Sequence, residues 1–161
     1  SLLNEEDIKD AIRRRWGDDA FEHDGEVDRS AVGGIVFADA GELAFLNALL
    51  HPRIRRVMKE QIARAADADA RAVVLDAAVL FEAGWYDLCT HIVFVAASLE
   101  DRLDRVRRTR GWDGETLRRR EQAQIPLDKK RDRCCYVVEN RSSVTHLQER
   151  ASQLLNQITK G

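Results

Sequence analysis

Two hydrophobic periodicities divide the chain. Up to residue 70, apolar positions recur at helical spacing and short turn-forming clusters separate them. Asn4 with Asp7 predicts an N-cap, and Ile8, Ala11, Ile12 and Trp16 then share one helical face. Gly17-Asp18-Asp19 stops that helix, and His23-Asp24-Gly25-Glu26 reads as a turn. Asp28 predicts the cap of a second short helix carrying Val32, Ile35, Val36 and Phe37. Gly33-Gly34 inside it costs roughly 1–2 kcal/mol of helix propensity, which predicts close packing or a break. Leu43 to Leu50 forms a third apolar helix, ended by His51-Pro52 because the residue before proline avoids helical angles. Pro52 suits the first turn of a long helix with Ile54, Val57, Met58, Ile62 and Ala65 inward.

From residue 71 the pattern changes. Ala72-Val73-Val74-Leu75 is an unbroken apolar, β-branched run, which predicts a strand buried on both faces and ending on Asp76. His91 to Ala96 predicts a second strand, and Ser98 caps the helix after it, with Glu100 and Asp101 suited to its first turn. Gly111-Trp112-Asp113-Gly114 splits the next helical stretch into two arms. Pro126 closes the second arm, and Asp128 restarts a short helix. Cys135 to Val138 predicts a third strand, ending at Glu139-Asn140. Leu147, Ala151, Leu154, Leu155 and Ile158 stripe a final helix. Strands alternating with helices mean a parallel α/β sheet, and the helical first 70 residues read as an insertion or cap.

Composition narrows the partners. Charged residues make up 34% of the 161 and cancel to a formal net of -2, so no global field favours nucleic acid or an anionic membrane. No apolar run approaches the ~20 residues of a membrane span. Cys89, Cys134 and Cys135 have no metal-ligand spacing, and two are adjacent, so a reducing cytoplasm fits better than a disulfide framework.

The arginines carry the most specific chemistry. Eight lie between positions 102 and 120, against three acids, Asp104, Asp113 and Glu115. Such a hairpin either closes on a phosphate ligand as a lid or is a solvated basic face. RNA binding is weaker as a reading, because Trp112 is the one aromatic there. Asp76, at the carboxyl end of a predicted strand, sits where open α/β sheets bind ligands, or caps a turn. Glu82 beside Phe81 is a site residue or a loop acid. His51, with Arg53, Arg55 and Arg56 after it, either presents cations to an anion or marks a helix boundary. Asn140 reads a base through its amide or turns the chain.

Four segments carry a family resemblance in order. They are Gly25-Glu26-Val27-Asp28-Arg29 through Val36-Phe37-Ala38-Asp39, then His51-Pro52-Arg53-Ile54-Arg55, then Leu75 to Glu82, then Tyr136-Val137-Val138-Glu139-Asn140. Together they resemble the dephospho-coenzyme A kinase family over nearly the whole chain. The resemblance implies a P-loop-kinase-like three-layer αβα parallel sheet with a helical acceptor-binding cap. Residues 1–70 would form the acceptor region, and 71–161 the remainder of the core, with an arginine-rich lid at 102–124. The implied reaction moves the γ-phosphate of ATP, with Mg²⁺, to the ribose 3′-hydroxyl of dephospho-coenzyme A. By the same resemblance, Asp76 lies near the phosphates and Arg108 acts from the lid. Arg105 and Asn140 serve the ATP side, and His51, Arg55, Leu80, Phe81 and Glu82 line the acceptor side. No residue is assigned to the metal, and neither nucleic acid nor membrane is implied.

There are departures from the family pattern. Ala78 replaces a proline, Thr109 stands where a lid arginine is expected, and Cys134-Cys135 replaces Ala-Asp. No Gly-x-x-x-x-Gly-Lys-Ser/Thr occurs in the 161 residues, so the first βαβ unit of the implied fold is absent from them. The expectation is the C-terminal portion of such a kinase, inactive by itself. The alternative is a non-catalytic nucleotide-, coenzyme A- or protein-binding module derived from a P-loop kinase. In the family the missing strand lies between the strands at 72–76 and 92–96. Each would therefore be left with an unpaired row of backbone donors and acceptors, which predicts self-association over direct closure.

Overall fold

The computed structural model describes residues 2–140 and 143–160. It divides into two compact units, Ser1–Ala63 and Arg64–Gly161. The first unit is helical. Helix α1 (Glu6–Trp16) buries Ile8 and Ile12 completely, as its apolar stripe requires. Glu5 occupies its N-cap without a side-chain bond, and Asn4 instead lies in a 3₁₀ turn, Leu2–Asn4. Helix α2 (Arg29–Val36) starts where Asp28 accepts hydrogen bonds from the amides of Ser30 and Ala31. It passes unbroken through Gly33-Gly34, with open space where a Gly34 side chain would stand. Between the two helices, Gly25 (φ 80°) makes the turn that lets Phe21 bridge Val27 antiparallel. Ile8, Ile12, Ala20, Val27, Val32 and Val36 form the core, with Trp16, Leu43 and Leu46 packed on it.

The predicted break at His51-Pro52 does not occur. One helix, α3, runs from Ala40 to Asp67 with Pro52 inside it. Proline removes one amide donor and crowds the carbonyl one turn back, a local cost that a long helix with an apolar stripe on both sides can absorb. The Arg53 guanidinium donates to the Leu49 carbonyl (2.9 Å), supplying a side-chain donor beside the gap. Its other end is held by Asp7 and Glu5. Ile54, Val57, Met58, Ile62 and Ala65 are half-buried along the helix, as the spacing predicts.

The second unit is α/β with a small parallel sheet, as the alternation predicts. Strands β1 (Val93–Ala96) and β2 (Tyr136–Glu139) pair parallel, with Val93 opposite Tyr136 and Ala96 opposite Glu139. Helices α4 (Leu99–Arg110), α5 (Gly114–Gln122) and α6 (Leu127–Asp132) cross between them, and α7 (Val144–Ile158) follows β2. Ser98 accepts from the Asp101 amide to start α4, and Gly111 ends it in the left-handed conformation (φ 65°). Of the α7 stripe, Leu147, Leu154 and Ile158 are half-buried, while Ala151 and Leu155 are exposed. Among the described residues, no helix is long and apolar enough to cross a membrane.

The strand predicted at 72–75 is not formed. Residues 72–77 carry no ladder, and Val73 and Val74 are 44% and 83% exposed rather than buried. β-Branched side chains favour extended backbone, but a strand also needs a partner edge, and the sheet of the described residues contains β1 and β2 alone. Arg71 fastens the start of the segment to α7 through Asn156 (2.7 Å) and Thr159 (2.9 Å).

Burial separates two variants sharply. Ile12→Ala should lower unfolding free energy by about 2–5 kcal/mol, because its site is fully enclosed. Val74→Ser should change it by less than about 0.5 kcal/mol. Denaturant titration of the two variants checks both.

Candidate active site

Parallel pairing brings the carboxyl ends of β1 and β2 to one edge, where open α/β sheets bind ligands. The Asn140 amide donates to the Ala96 carbonyl (2.7 Å), fixing the residue just past β2. From α4, Arg105 reaches the same point. With the Asn140 amide turned as its neighbours require, its oxygen accepts from both terminal nitrogens of Arg105 at 3.2 Å. The two residues assigned to the ATP side are thus together.

The α4–α5 hairpin does not present its arginines as a uniform basic face. Arg102 pairs with Glu121 (2.9 Å) and donates to the Ala97 carbonyl (2.7 Å). Arg110 and Arg120 lie over the Trp112 ring at 4.8 and 4.0 Å. Burial, and then the charge of Arg110, lowers the Arg120 pKa. Arg108 is exposed and makes a long contact (3.4 Å) to the Asp104 carbonyl of its own helix, so it can swing toward a ligand.

Beyond Asp76, which is exposed, residues 77–84 turn back on themselves. The Ala83 amide bonds the Val79 carbonyl (2.9 Å), and Gly84 takes a left-handed conformation (φ 69°) into a 3₁₀ turn at Trp85–Leu88. Phe81 and Trp85 are buried. Tyr86 lies 5.9 Å from the Phe81 ring, and the Arg133 guanidinium sits 4.2 Å over Phe81. Leu80 and Glu82 are half-buried. Glu82 pairs with Lys130 (2.8 Å), and the same oxygen accepts from the Ile125 amide (2.8 Å). Lys130 was not legible as part of the site. Its Lys-Lys-Arg setting reads as a solvated run, and no spacing rule links it to a carboxylate 48 residues earlier.

His51 and Arg55 belong to the first unit. One turn apart on α3, they share a face, and both are half-buried. Burial holds the His51 imidazole below its ordinary pKa.

Among the described residues, no three His, Cys, Asp or Glu side chains gather as a metal site. Asp76 offers a single carboxylate, and hard divalent cations need several oxygens. These side chains alone do not fit a resident Mg²⁺.

The family model described as dephospho-CoA kinase matches residues 3–146. The chain belongs to the dephospho-CoA kinase family. A Thermus thermophilus dephospho-CoA kinase is 36% identical over 137 residues, covering 85% of this chain and 66% of the relative. One from Lactobacillus johnsonii is 32% identical over 148 residues, covering 92% and 75%. A solved structure from Thermus thermophilus superposes with a TM-score of 0.67 at 31% identity, covering 94% of this chain and 77% of that one. The dephospho-CoA kinase from Campylobacter jejuni gives 0.66 at 21% identity, covering 99% and 80%, a likeness of fold. The family match spans the Arg105–Asn140 contact and the turn at 77–84 in one chain.

The Glu82–Lys130 pair makes a quantitative expectation. Lys130→Met takes the ion-pair partner from the half-buried Glu82 carboxylate and should cost roughly 1.5–3 kcal/mol. Glu82→Leu together with Lys130→Met removes both charges and should recover most of that loss. Denaturant unfolding of the single and double variants is the check.

Proposed function

We propose that this chain serves the ATP-dependent phosphorylation of the ribose 3′-hydroxyl of dephospho-coenzyme A, the last step of coenzyme A synthesis. Membership of the dephospho-CoA kinase family over residues 3–146 carries the reading. Support comes from the meeting of Arg105 and Asn140 at the carboxyl edge of the parallel pair. In this reading Asn140 hydrogen-bonds the adenine and Arg105 steadies it. His51 and Arg55 bind the acceptor from α3, and Leu80, Phe81 and Glu82 form the acceptor-side turn. Asp76 lies toward the phosphates. Arg108 swings in from the α4–α5 lid and stabilises charge on the transferred phosphoryl group.

Mg²⁺ bound with ATP would supply charge neutralisation of the phosphates, and no step is assigned to it from these residues. The 161 residues hold no Gly-x-x-x-x-Gly-Lys-Ser/Thr, and that motif's amides and lysine hold the β- and γ-phosphates. By themselves, therefore, the 161 residues are proposed to bind acceptor without transferring phosphate. The same absence favours a second reading, a nucleotide- or coenzyme A-binding module without catalysis. Cytoplasmic placement is part of the proposal, in keeping with Cys89, Cys134 and Cys135 being free thiols. So is self-association through the β1 side, where Val93 and Val95 are 37% and 57% exposed. Light scattering that gives a monomer at all concentrations would reject that last point.

A coupled assay tests the reaction. The 161-residue chain should show no turnover above background. In a form of the polypeptide that carries a phosphate loop, Arg108→Ala should lower kcat roughly 10²–10³-fold with little change in the acceptor KM. Arg55→Ala should chiefly raise that KM. Unchanged kcat in Arg108→Ala removes Arg108 from the mechanism. A phosphate-loop form that phosphorylates no dephospho-coenzyme A favours the binding module.

A further inference from the structure

Among the described residues, Lys130 alone of the charged and polar ones is buried, at 6% exposure. A lysine ammonium has three protons to place and seldom leaves water. Here all three have acceptors. Lys130 Nζ lies 2.7 Å from the Ala78 carbonyl, 2.7 Å from Gln124 Oε1 and 2.8 Å from Glu82 Oε1. Those acceptors come from two separate stretches. Ala78 and Glu82 bracket the turn that follows Asp76. Gln124, with the Ile125 amide on Glu82 Oε1, is the point where the chain leaves α5. Lys130 itself stands on α6, held at its amide by the Pro126 carbonyl (3.0 Å). Glu82 Oε2 is buried without a partner, so the carboxylate depends on Lys130 for its neutralisation.

A simpler structural design would fill this space with apolar side chains, which commonly hold a core at least as well as a buried ion pair. An ion pair differs in being directional. It ties two particular backbone segments, and a displacement of either one breaks its geometry.

We propose that Lys130 is a positioning residue that, through Glu82, ties the acceptor-side turn at 77–83 to the base of the α4–α5 hairpin, so that acceptor binding at the turn sets the position of the hairpin. The inference rests on the acceptor reading given above. It deepens that reading by naming the connection between acceptor and lid. Coupling of this kind is reciprocal, so a hairpin held in place also favours the bound form of the turn. Neither Lys130 nor Glu82 need touch a ligand to act in this way.

Amide hydrogen exchange on the 161-residue chain, with and without saturating dephospho-coenzyme A, tests the tie. The variant is Lys130→Met, which removes the ammonium and leaves Glu82 of the acceptor-side turn in place. Without ligand, the segment 122–127 should exchange roughly tenfold or more faster in the variant, because Gln124 has lost its donor and the carboxylate that holds the Ile125 amide has lost its partner. With ligand, the wild-type chain should gain protection at both 77–83 and 122–127. The variant should gain it at 77–83 alone. Protection of both segments in the variant, or unchanged ligand-free exchange at 122–127, overturns the proposal and leaves the acceptor reading intact. A wild-type chain whose exchange dephospho-coenzyme A does not alter overturns the acceptor reading and the tie together. The single variant Lys130→Gln, which retains a donor, should fall between the two in ligand-induced protection of 122–127. Its matching the wild type would also count against the tie.

Discussion

The parallel pairing of Val93–Ala96 with Tyr136–Glu139 is the constraint on which the second unit depends. Parallel strands require a long crossover, and here that crossover is the whole stretch from α4 to α6. The pairing therefore decides where the arginine-rich hairpin leaves the sheet and where the chain returns to it. It also places Ala97 and Asn140 side by side at one edge, with the Asn140 amide bonded to Ala96 as the last rung. Arg105 needs only two turns of α4 to span from the capping Ser98 back to that edge. A one-residue slip would turn the strand faces over and separate the two residues.

A second constraint is electrostatic. Burying an ammonium costs several kcal/mol unless its protons are all satisfied, and Lys130 meets that condition with three acceptors from two stretches of chain. The turn after Asp76 owes its form to this as much as to Phe81 and Trp85 packing beneath it. The first unit uses charge differently. Arg15 and the Trp16 indole both bond Glu42, holding its carboxyl below the usual carboxylate pKa, chiefly through the Arg15 bond. That folded-state pKa is depressed, so its contribution is present above the ordinary carboxylate range and is lost as pH falls through the lowered value.

Much of this was legible from residue patterns. Asp28, Ser98, Asp113 and Ser143 all cap helices, and the first three of the four follow from local rules or stand beside a glycine signal. The parallel α/β character followed from alternating periods, and the family from four ordered motifs. What failed was long-range. The proline signal at residue 52 does not end α3, which continues through it with Arg53 donating to the Leu49 carbonyl beside the gap. The run at 72–75 has strand composition but no partner edge, which no local pattern records. Of the site, Arg105 and Asn140 are in contact, and their role toward ATP is part of the proposal. Glu82 stands out in the sequence beside Phe81, but its partner Lys130 does not, because a lysine in a basic run carries no mark of burial.

The carboxyl edge of β1 and β2 is proposed to be the nucleotide side of the site. An amide and side-chain NMR titration of the chain with ATP at millimolar concentration tests it most directly. The largest shifts are expected at the Asn140 side-chain amide, the Arg105 guanidinium and the Ala97 amide. Shifts confined to the first unit or to α7, with Asn140 and Arg105 unmoved, would contradict it.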